Sequence, residues 1–151
     1  MYDWANSAFA TTVMAAFFPI FFNVYWSKGL EGTESTYYLA IGNAIASLLI
    51  VILAPVLGAI ADTGRIRKRM LASFACLGLL ATGALYLVAE GRWPFAILLY
   101  AIAVTGFSGA NIFYDALLVI ISKVDIRHRV SALGFALGYL GGGLLFLVNV
   151  L

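Results

Sequence analysis

Uncharged, apolar intervals make up most of the chain. Five of them contain no Asp, Glu, Lys or Arg and are 20 to 27 residues long, namely residues 4–27, 35–61, 70–89, 93–114 and 130–151. An α-helix rises about 1.5 Å per residue, so about 20 apolar residues cross the roughly 30 Å hydrocarbon core of a bilayer. Each interval is therefore long enough to form a transmembrane helix.

The residues within these intervals favour helices over strands. Strands of a membrane barrel alternate polar and apolar positions for roughly ten residues, whereas these intervals stay predominantly apolar and are rich in Ala, Leu and Gly. The fourth helix is expected to continue beyond Asp115 to Ile121, because residues 116–122 are again uncharged. We predict an all-α, polytopic transmembrane helix bundle that fills residues 1–151, with helices over about residues 3–26, 36–61, 69–89, 94–121 and 130–151.

The composition excludes several other classes of protein. Hydrophobic residues make up 64% of the chain and charged residues 11%, which leaves too few polar groups to cover a soluble domain of this length. A single cysteine, Cys76, excludes a disulfide scaffold, and a single histidine, His128, excludes a Cys/His zinc site. We expect no metal site and no cofactor. Aromatic residues near the predicted helix ends are expected to anchor the helices at the membrane interfaces: Trp4, Trp26, Tyr37 and Trp93.

The basic residues predict the orientation of the helices. Seven of the nine lie in the second and fourth connections, which carry Arg65, Arg67, Lys68, Arg69, Lys123, Arg127 and Arg129. The first and third connections carry only Lys28 and Arg92. Because basic loops stay on the cytoplasmic side, the second and fourth connections and the N-terminus are expected to be cytoplasmic. The chain ends inside an apolar run, so we expect it to be the first part of a longer multi-pass protein of the cell (inner) membrane.

Polar residues within the fourth predicted helix form a stripe. Thr105, Ser108, Asn111 and Asp115 are three, three and four residues apart, which places them on one side of an α-helix. An ionised carboxylate is costly against lipid, so Asp115 is expected to face a partner or a water-filled cavity, or to take up a proton. Two functional roles are open for Asp115: solute or proton handling, and a gating charge pair. The uncharged members of the stripe have the alternative of tying neighbouring helices together.

A weaker polar pattern occurs in the first predicted helix. Asp3, Asn6, Ser7 and Thr11 have one-face spacing, and Asp3 and Asn6 are candidates for lining a solute cavity. Asp3 lies near the chain end, so contact with interfacial water is its alternative.

Glycines recur in the fifth predicted helix. Gly134, Gly138 and Gly142 are four residues apart and form a small-residue ridge that lets a neighbouring helix approach closely. Helix packing explains this ridge fully. A flexible or sliding contact between moving halves of the protein is the alternative.

The second connection combines an acid with a basic cluster. Residues 58–69 are Gly-Ala-Ile-Ala-Asp-Thr-Gly-Arg-Ile-Arg-Lys-Arg. Asp62 can accept hydrogen bonds from a helix N-terminus or a basic side chain, so the segment predicts an electrostatic latch. Its gating residues are expected to be Gly58, Asp62, Gly64, Arg65, Arg67 and Lys68. A topology signal alone is the alternative, and anionic membrane lipid is a further partner for the basic residues.

Four stretches resemble a known family. Residues 58–69 are similar to the loop between helices two and three of the major facilitator superfamily, usually Gly-x-x-x-Asp-Arg-x-Gly-Arg-Arg. Here Thr63 replaces the first arginine and Gly64 comes one residue early, so Asp62 is the residue that carries over. The resemblance to the vacuole-effluxer family of that superfamily depends on Tyr-Asp-Trp-Ala-Asn-Ser-Ala-Phe at 2–9, Asn-Ile-Phe-Tyr-Asp-Ala-Leu-Leu at 111–118, and Val-Ser-Ala-Leu-Gly running on to Gly-Tyr-Leu-Gly-Gly over 130–142.

This resemblance implies a transporter of two six-helix halves that works by alternating access. The chain would supply helices one to five of the N-terminal half, and the missing C-terminal half of the same transporter would be its partner. In that architecture helices one and four line the central cavity, in agreement with the polar residues that both predicted helices carry. Fungal vacuolar members of the family are associated with export of neutral amino acids, so the resemblance implies efflux of a small solute.

Three functions are compatible with the sequence. The leading hypothesis is a secondary active transporter for a small-molecule solute, with protons coupled through Asp115. A membrane enzyme would need a convergent catalytic set, and the predicted helices contain no Ser, His and Asp combination and no acidic metal cluster. A non-transporting membrane scaffold is the third. We expect no nucleic-acid partner, because topology accounts for seven of the nine basic residues.

The predicted topology can be tested with single cysteines in a Cys76→Ala background. Ser122→Cys should resist a membrane-impermeant thiol reagent added outside intact cells, because the fourth connection is expected to face the cytoplasm. Labelling after permeabilisation is the control. Labelling of Ser122→Cys from outside would contradict the orientation.

Overall fold

The described part of the chain forms five helices that are long and apolar enough to cross a membrane. The structure, a computed structural model, describes residues 2–62, 66–122 and 124–151. The helices are α1 (Tyr2–Trp26), α2 (Gly32–Asp62), α3 (Arg67–Leu87), α4 (Trp93–Ile121) and α5 (Arg127–Val150). No strand occurs in the three described ranges. The predicted all-α transmembrane bundle with five spans is confirmed.

Three helices begin three residues earlier than the uncharged intervals predict. α3 begins at Arg67 and α5 at Arg127, so both include basic residues in their first turn. α2 begins at Gly32 and carries Glu34 in its first turn, where the helix dipole favours an acid. Charge keeps a side chain out of the hydrocarbon core but does not end a helix, so these helices continue into the interfacial layer.

α1 contains two stretches that are wider than an α-helix. Over Phe9–Phe17 and Phe22–Trp26 the backbone is π-helical, with N–H groups bonded five residues back. Pro19 lies in the short α-helical turn between them. Side chains of α1 beyond Ala8 therefore do not keep the period of 3.6 residues from which its polar pattern was predicted.

The chain divides into two compact units, and the first contains the described residues of 1–20 and 118–151. In this unit the start of α1 packs on buried glycines of α5. A methyl group at Gly138 would lie 2.6 Å from Ser7 Oγ, and one at Gly142 would lie 2.9 Å from Thr11 Oγ1. Gly134, the third residue of the predicted ridge, is half-buried. A side chain larger than hydrogen at Gly138 or Gly142 would have to displace the Ser7 or Thr11 hydroxyl group and would press on the backbone of α1.

The second unit contains residues 21–117, and in it α3 and α4 meet at a second set of glycines. A methyl group at Gly106 would lie 2.8 Å from the Cα of Gly78, and one at Gly109 would overlap the ring of Phe74. The Phe74 ring in turn stacks on Phe113, with centroids 5.9 Å apart. The helices are therefore in direct backbone contact at Gly78 and Gly106.

Phe113 also belongs to the buried apolar cluster of this unit. Phe113, Leu57 and Ala61 are buried, and the α3 residues Met70 and Leu71 pack against them. The cluster holds the end of α2 against α3 and α4.

Gly106→Ala should destabilise the intact membrane protein by about 1–3 kcal/mol, because the added methyl group must displace backbone atoms of α3. Gly83→Ala is the matched control: Gly83 is exposed on α3, and a methyl group there would meet no described atom within 4 Å. The control should gain about 0.5–1 kcal/mol from helix propensity. Thermal unfolding in detergent measures both variants. A Tm for Gly106→Ala at or above that of Gly83→Ala would contradict the close contact.

Candidate functional site

Three members of the polar stripe, Ser108, Asn111 and Asp115, lie on the side of α4 opposite its contact with α3. The fourth, Thr105, is one helical turn before Gly109 and lies nearer to that contact. Gly106, Gly109 and Phe113 face α3. Each is followed two positions later by a member of the stripe, namely Ser108, Asn111 and Asp115. Two positions correspond to about 200° of rotation around a helix of 3.6 residues per turn. α4 therefore presents small and aromatic residues to α3 and polar residues on its other side.

Burial along the stripe decreases toward the predicted cytoplasmic end. Thr105, Ser108 and Asn111 are half-buried, and Asp115 is exposed. The Thr105 hydroxyl donates to the carbonyl of Ala101 at 2.8 Å, so its oxygen is left as an acceptor. The stripe offers hydroxyl groups, an amide and a carboxylate, which are groups that hydrogen-bond a polar solute or exchange a proton.

The predicted gating loop connects α2 to α3. Gly64 and Arg65 lie outside the described residues. Gly58 is half-buried, and a methyl group there would meet no described atom within 4 Å. Asp62 and Lys68 are exposed, so both side chains are accessible to water.

Arg67 binds the backbone at the end of α2. It donates from Nε to the carbonyl of Ala61 and from Nη2 to the carbonyl of Asp62, the second at 3.1 Å. Carbonyl groups at a helix C-terminus lack an intrahelical donor and carry a partial negative charge, so a guanidinium suits them. Arg67 thereby ties the first residue of α3 to the last turn of α2, a contact that the sequence pattern does not predict.

Part of the predicted polar pattern of α1 serves helix packing. The Thr11 hydroxyl lies 2.9 Å from the carbonyl of Ser7 and 3.3 Å from the carbonyl of Gly142, and donates to both. Ser7 lies against the glycines of α5 as well. Asp3 and Asn6, the predicted cavity residues, are half-buried in the same unit.

A polar cluster that the sequence did not predict lies where α1 meets α2. Ser27 and Ser35 are buried, and their hydroxyl oxygens are 2.7 Å apart. The Ser27 hydroxyl also lies within hydrogen-bond distance of the backbone carbonyl of Asn23, and the Ser35 hydroxyl lies within that distance of the Asn23 side-chain oxygen, so the two hydroxyl protons are shared among three contacts. The cluster satisfies two buried hydroxyl groups that would otherwise be costly in an apolar setting.

The end of α1 is joined to the α3–α4 turn by two further hydrogen bonds. Trp26 is only 7% exposed, and its indole Nε1 donates to the carbonyl of Val88 at 3.2 Å. The N–H of Gly91 donates to the carbonyl of Tyr25 at 3.2 Å. Trp26, which the sequence predicts as an anchor at the membrane interface, is therefore buried in the protein, and its indole N–H has an acceptor there.

An ion pair and a ring contact reinforce this junction. The Lys28 ammonium pairs with the Glu90 carboxylate, which raises the pKa of Lys28 through a hydrogen bond and through its charge. The pair is fully present below the ordinary pKa of lysine and is lost only as the pH rises through the raised value. Both side chains are exposed, so the pair adds little to stability. Tyr38 stacks on Trp93 with ring centroids 4.2 Å apart.

The described residues contain no metal-binding cluster. Over residues 2–62, 66–122 and 124–151, no group of three or more His, Cys, Asp or Glu side chains could share a metal ion. The chemistry that these residues offer is hydrogen bonding, charge pairing and proton transfer.

Two curated relatives match nearly the whole chain. The chain is 37% identical over 151 residues to an uncharacterized MFS-type transporter, YxiO, of Bacillus subtilis (strain 168), covering 99% of this chain and 35% of the relative. It is 28% identical over 153 residues to an uncharacterized protein of Aquifex aeolicus (strain VF5), covering 100% of this chain and 37% of that relative. The chain thus spans about a third of the length of the curated relatives it matches. No solved structure matches it.

A family model places the chain among known proteins. The model, described as vacuole effluxer Atg22 like, matches residues 23–125. These residues include the polar stripe of α4 and the predicted gating loop between α2 and α3. The match confirms the resemblance predicted from the sequence motifs, and the chain belongs to the Atg22-like vacuole effluxer family.

Proposed function

We propose that the chain is the N-terminal part of a secondary active transporter that moves a small polar solute by alternating access, with the polar stripe of α4 on the solute path. The observation that carries this proposal is the two-sided character of α4. Its small residues contact α3, whereas Ser108, Asn111 and Asp115 point away from that contact. A carboxylate and an amide on one side of a membrane helix are stable only against water, a polar solute or a polar partner.

The burial of α4 supports an interior position. In its most apolar stretch 44% of the residues are buried, against 11–17% in the other four helices. A helix at the edge of a bundle would give one side to its neighbours and the other to lipid. A polar stripe on a central helix instead lines a cavity, as substrate sites of transporters do.

The names of the relatives support the same class of function. One relative is described as an MFS-type transporter and the family as an effluxer. We propose efflux, neutral amino acids as the solutes to test first, and a location in the cell membrane with the N-terminus in the cytoplasm. Purified intact protein in liposomes tests the proposal. Counterflow of a radiolabelled solute supports transport, and chemical turnover without counterflow supports an enzyme. The absence of both counterflow and turnover supports a scaffold.

Asp115→Asn should impair pH-driven uptake by about tenfold or more, because Asp115 is the only charge within an otherwise uncharged span. If Asp115 couples protons, the variant loses uptake driven by a pH gradient but retains solute exchange. If Asp115 forms a gating charge pair, both activities fall, and a charge swap with an arginine of the gating loop restores part of them.

Asp125→Asn is the matched control for this experiment. Asp125 is an exposed acid in the α4–α5 connection, outside the stripe, and its loss should leave both activities unchanged. Normal pH-driven transport by Asp115→Asn would contradict both roles.

Asp62→Asn should slow turnover and leave the solute affinity nearly unchanged, since we propose that Asp62 acts as a conformational latch at the exposed end of α2. Maximal rate and half-saturating concentration for counterflow measure the two effects separately. A large loss of affinity at an unchanged maximal rate would contradict the latch.

A further inference from the structure

The connections before α3 and α5 carry the same short motif. Residues 66–69 are Ile-Arg-Lys-Arg, and residues 126–129 are Ile-Arg-His-Arg. In both, the isoleucine is the N-cap and the first arginine begins the helix. The two isoleucines have nearly the same backbone conformation, with φ −113° and ψ 2° at Ile66 and φ −111° and ψ −3° at Ile126. The repeat is therefore one of local structure as well as of sequence.

The first arginine of each motif binds the end of the preceding helix. Arg67 donates from Nε and Nη2 to the carbonyls of Ala61 and Asp62 at the end of α2. Arg127 donates from Nη2 to the carbonyl of Val119 at 2.9 Å and from Nε to Ser122 Oγ at 3.3 Å, at the end of α4. In both motifs the same two guanidinium nitrogens, Nε and Nη2, make the contact.

The electrostatics of the helix ends explain why each first arginine binds the C-terminus of the preceding helix rather than its own helix. A basic residue in the first turn is unfavourable for its own helix, because the N-terminus already carries a partial positive charge. Neither α3 nor α5 has an acid in its first turn or a side-chain hydrogen bond from its N-cap. Neither α2 nor α4 has a basic residue in its last turn. The first arginine of each motif thus supplies the positive charge that the preceding helix lacks.

We propose that Arg67 and Arg127 are equivalent positioning residues, which cap the C-termini of α2 and α4 and hold each of these helices to the start of the next. The second arginines, Arg69 and Arg129, are exposed and supply only charge. The caps act in the folded protein whether or not it transports a solute, so the inference goes beyond the proposed function. It assigns separate roles to the two arginines of each motif, which a topology signal alone does not distinguish.

The test replaces each arginine by lysine, which keeps the positive charge but cannot make the paired guanidinium contact. Hydrogen exchange is followed by mass spectrometry on the intact protein in lipid nanodiscs. Arg67→Lys should speed exchange in the last turn of α2, residues 59–62, by about tenfold, since bonds from a charged donor are lost. Arg127→Lys should do the same for residues 118–121 of α4. The matched controls Arg69→Lys and Arg129→Lys should leave both segments unchanged.

Ser122→Ala provides a second measurement in which both arginines are kept. Ser122 Oγ accepts from Arg127 Nε and donates to the carbonyl of Leu118 at 2.6 Å. The effect of Ser122→Ala on exchange in α4 should therefore be smaller, though not zero, in the Arg127→Lys background, where the contact with Arg127 is already lost. Unchanged exchange in either Arg→Lys variant would overturn the proposal. So would equal effects from the first and second arginines of a motif, or additive effects of Ser122→Ala and Arg127→Lys. None of these outcomes depends on whether transport occurs.

Discussion

Close approach of helix backbones at glycine is the interaction on which both units depend. Lipid tails are as apolar as leucine, so burial of apolar side chains does little to hold membrane helices together. Contact therefore has to come from atoms that touch over a long surface. Gly138 and Gly142 provide it between α1 and α5, and Gly78 and Gly106 provide it between α3 and α4. The Thr11 hydroxyl reaches the carbonyl of Gly142 only because no side chain separates the two backbones there.

The same contact determines which side of α4 is available for chemistry. Only one side of a helix can pack closely against a given neighbour, and in α4 the side that packs against α3 carries Gly106 and Gly109. Polar residues placed two positions further along are thereby kept away from α3. The packing surface and the proposed solute path both follow from the helical spacing of these two sets of residues along α4. If the polar residues were shifted by one position relative to the glycines, they would turn toward α3, and the carboxylate would lie against an apolar neighbour.

Features that repeat along one helix could be predicted from the sequence. The five spans, the ridge at Gly138 and Gly142, and the stripe that ends at Asp115 are each a matter of length or spacing within a single segment. The partner of each surface could not be predicted. Gly78 and Gly106 lie in different helices, and nothing in either segment shows that they meet.

Hydrogen bonds between residues far apart in the chain could not be predicted from the sequence either. Trp26 at the end of an apolar interval has the pattern of an interfacial anchor, and its bond to Val88 depends on where another turn folds. The π-helical stretches of α1 are a similar case, because no period in the sequence signals a bond five residues back. Arg67 illustrates a third limit. Its position predicts which side of the membrane it occupies, but the carbonyls that it binds are set by the approach of α2 to α3.

The hydrogen bonds between the end of α1 and the α3–α4 turn constrain the number of residues in that turn rather than their types. Insertions in a free surface loop cost little, since the entropy of loop closure grows slowly with loop length. Here the turn takes part through its own backbone, with the carbonyl of Val88 accepting from Trp26 and the N–H of Gly91 donating to Tyr25. One added residue between Val88 and Gly91 would break at least one of these bonds, and loss of the bond from Trp26 would leave a buried indole N–H without its acceptor. Homologous chains should therefore vary in sequence at this turn but keep its number of residues, and an epitope tag would be better placed elsewhere.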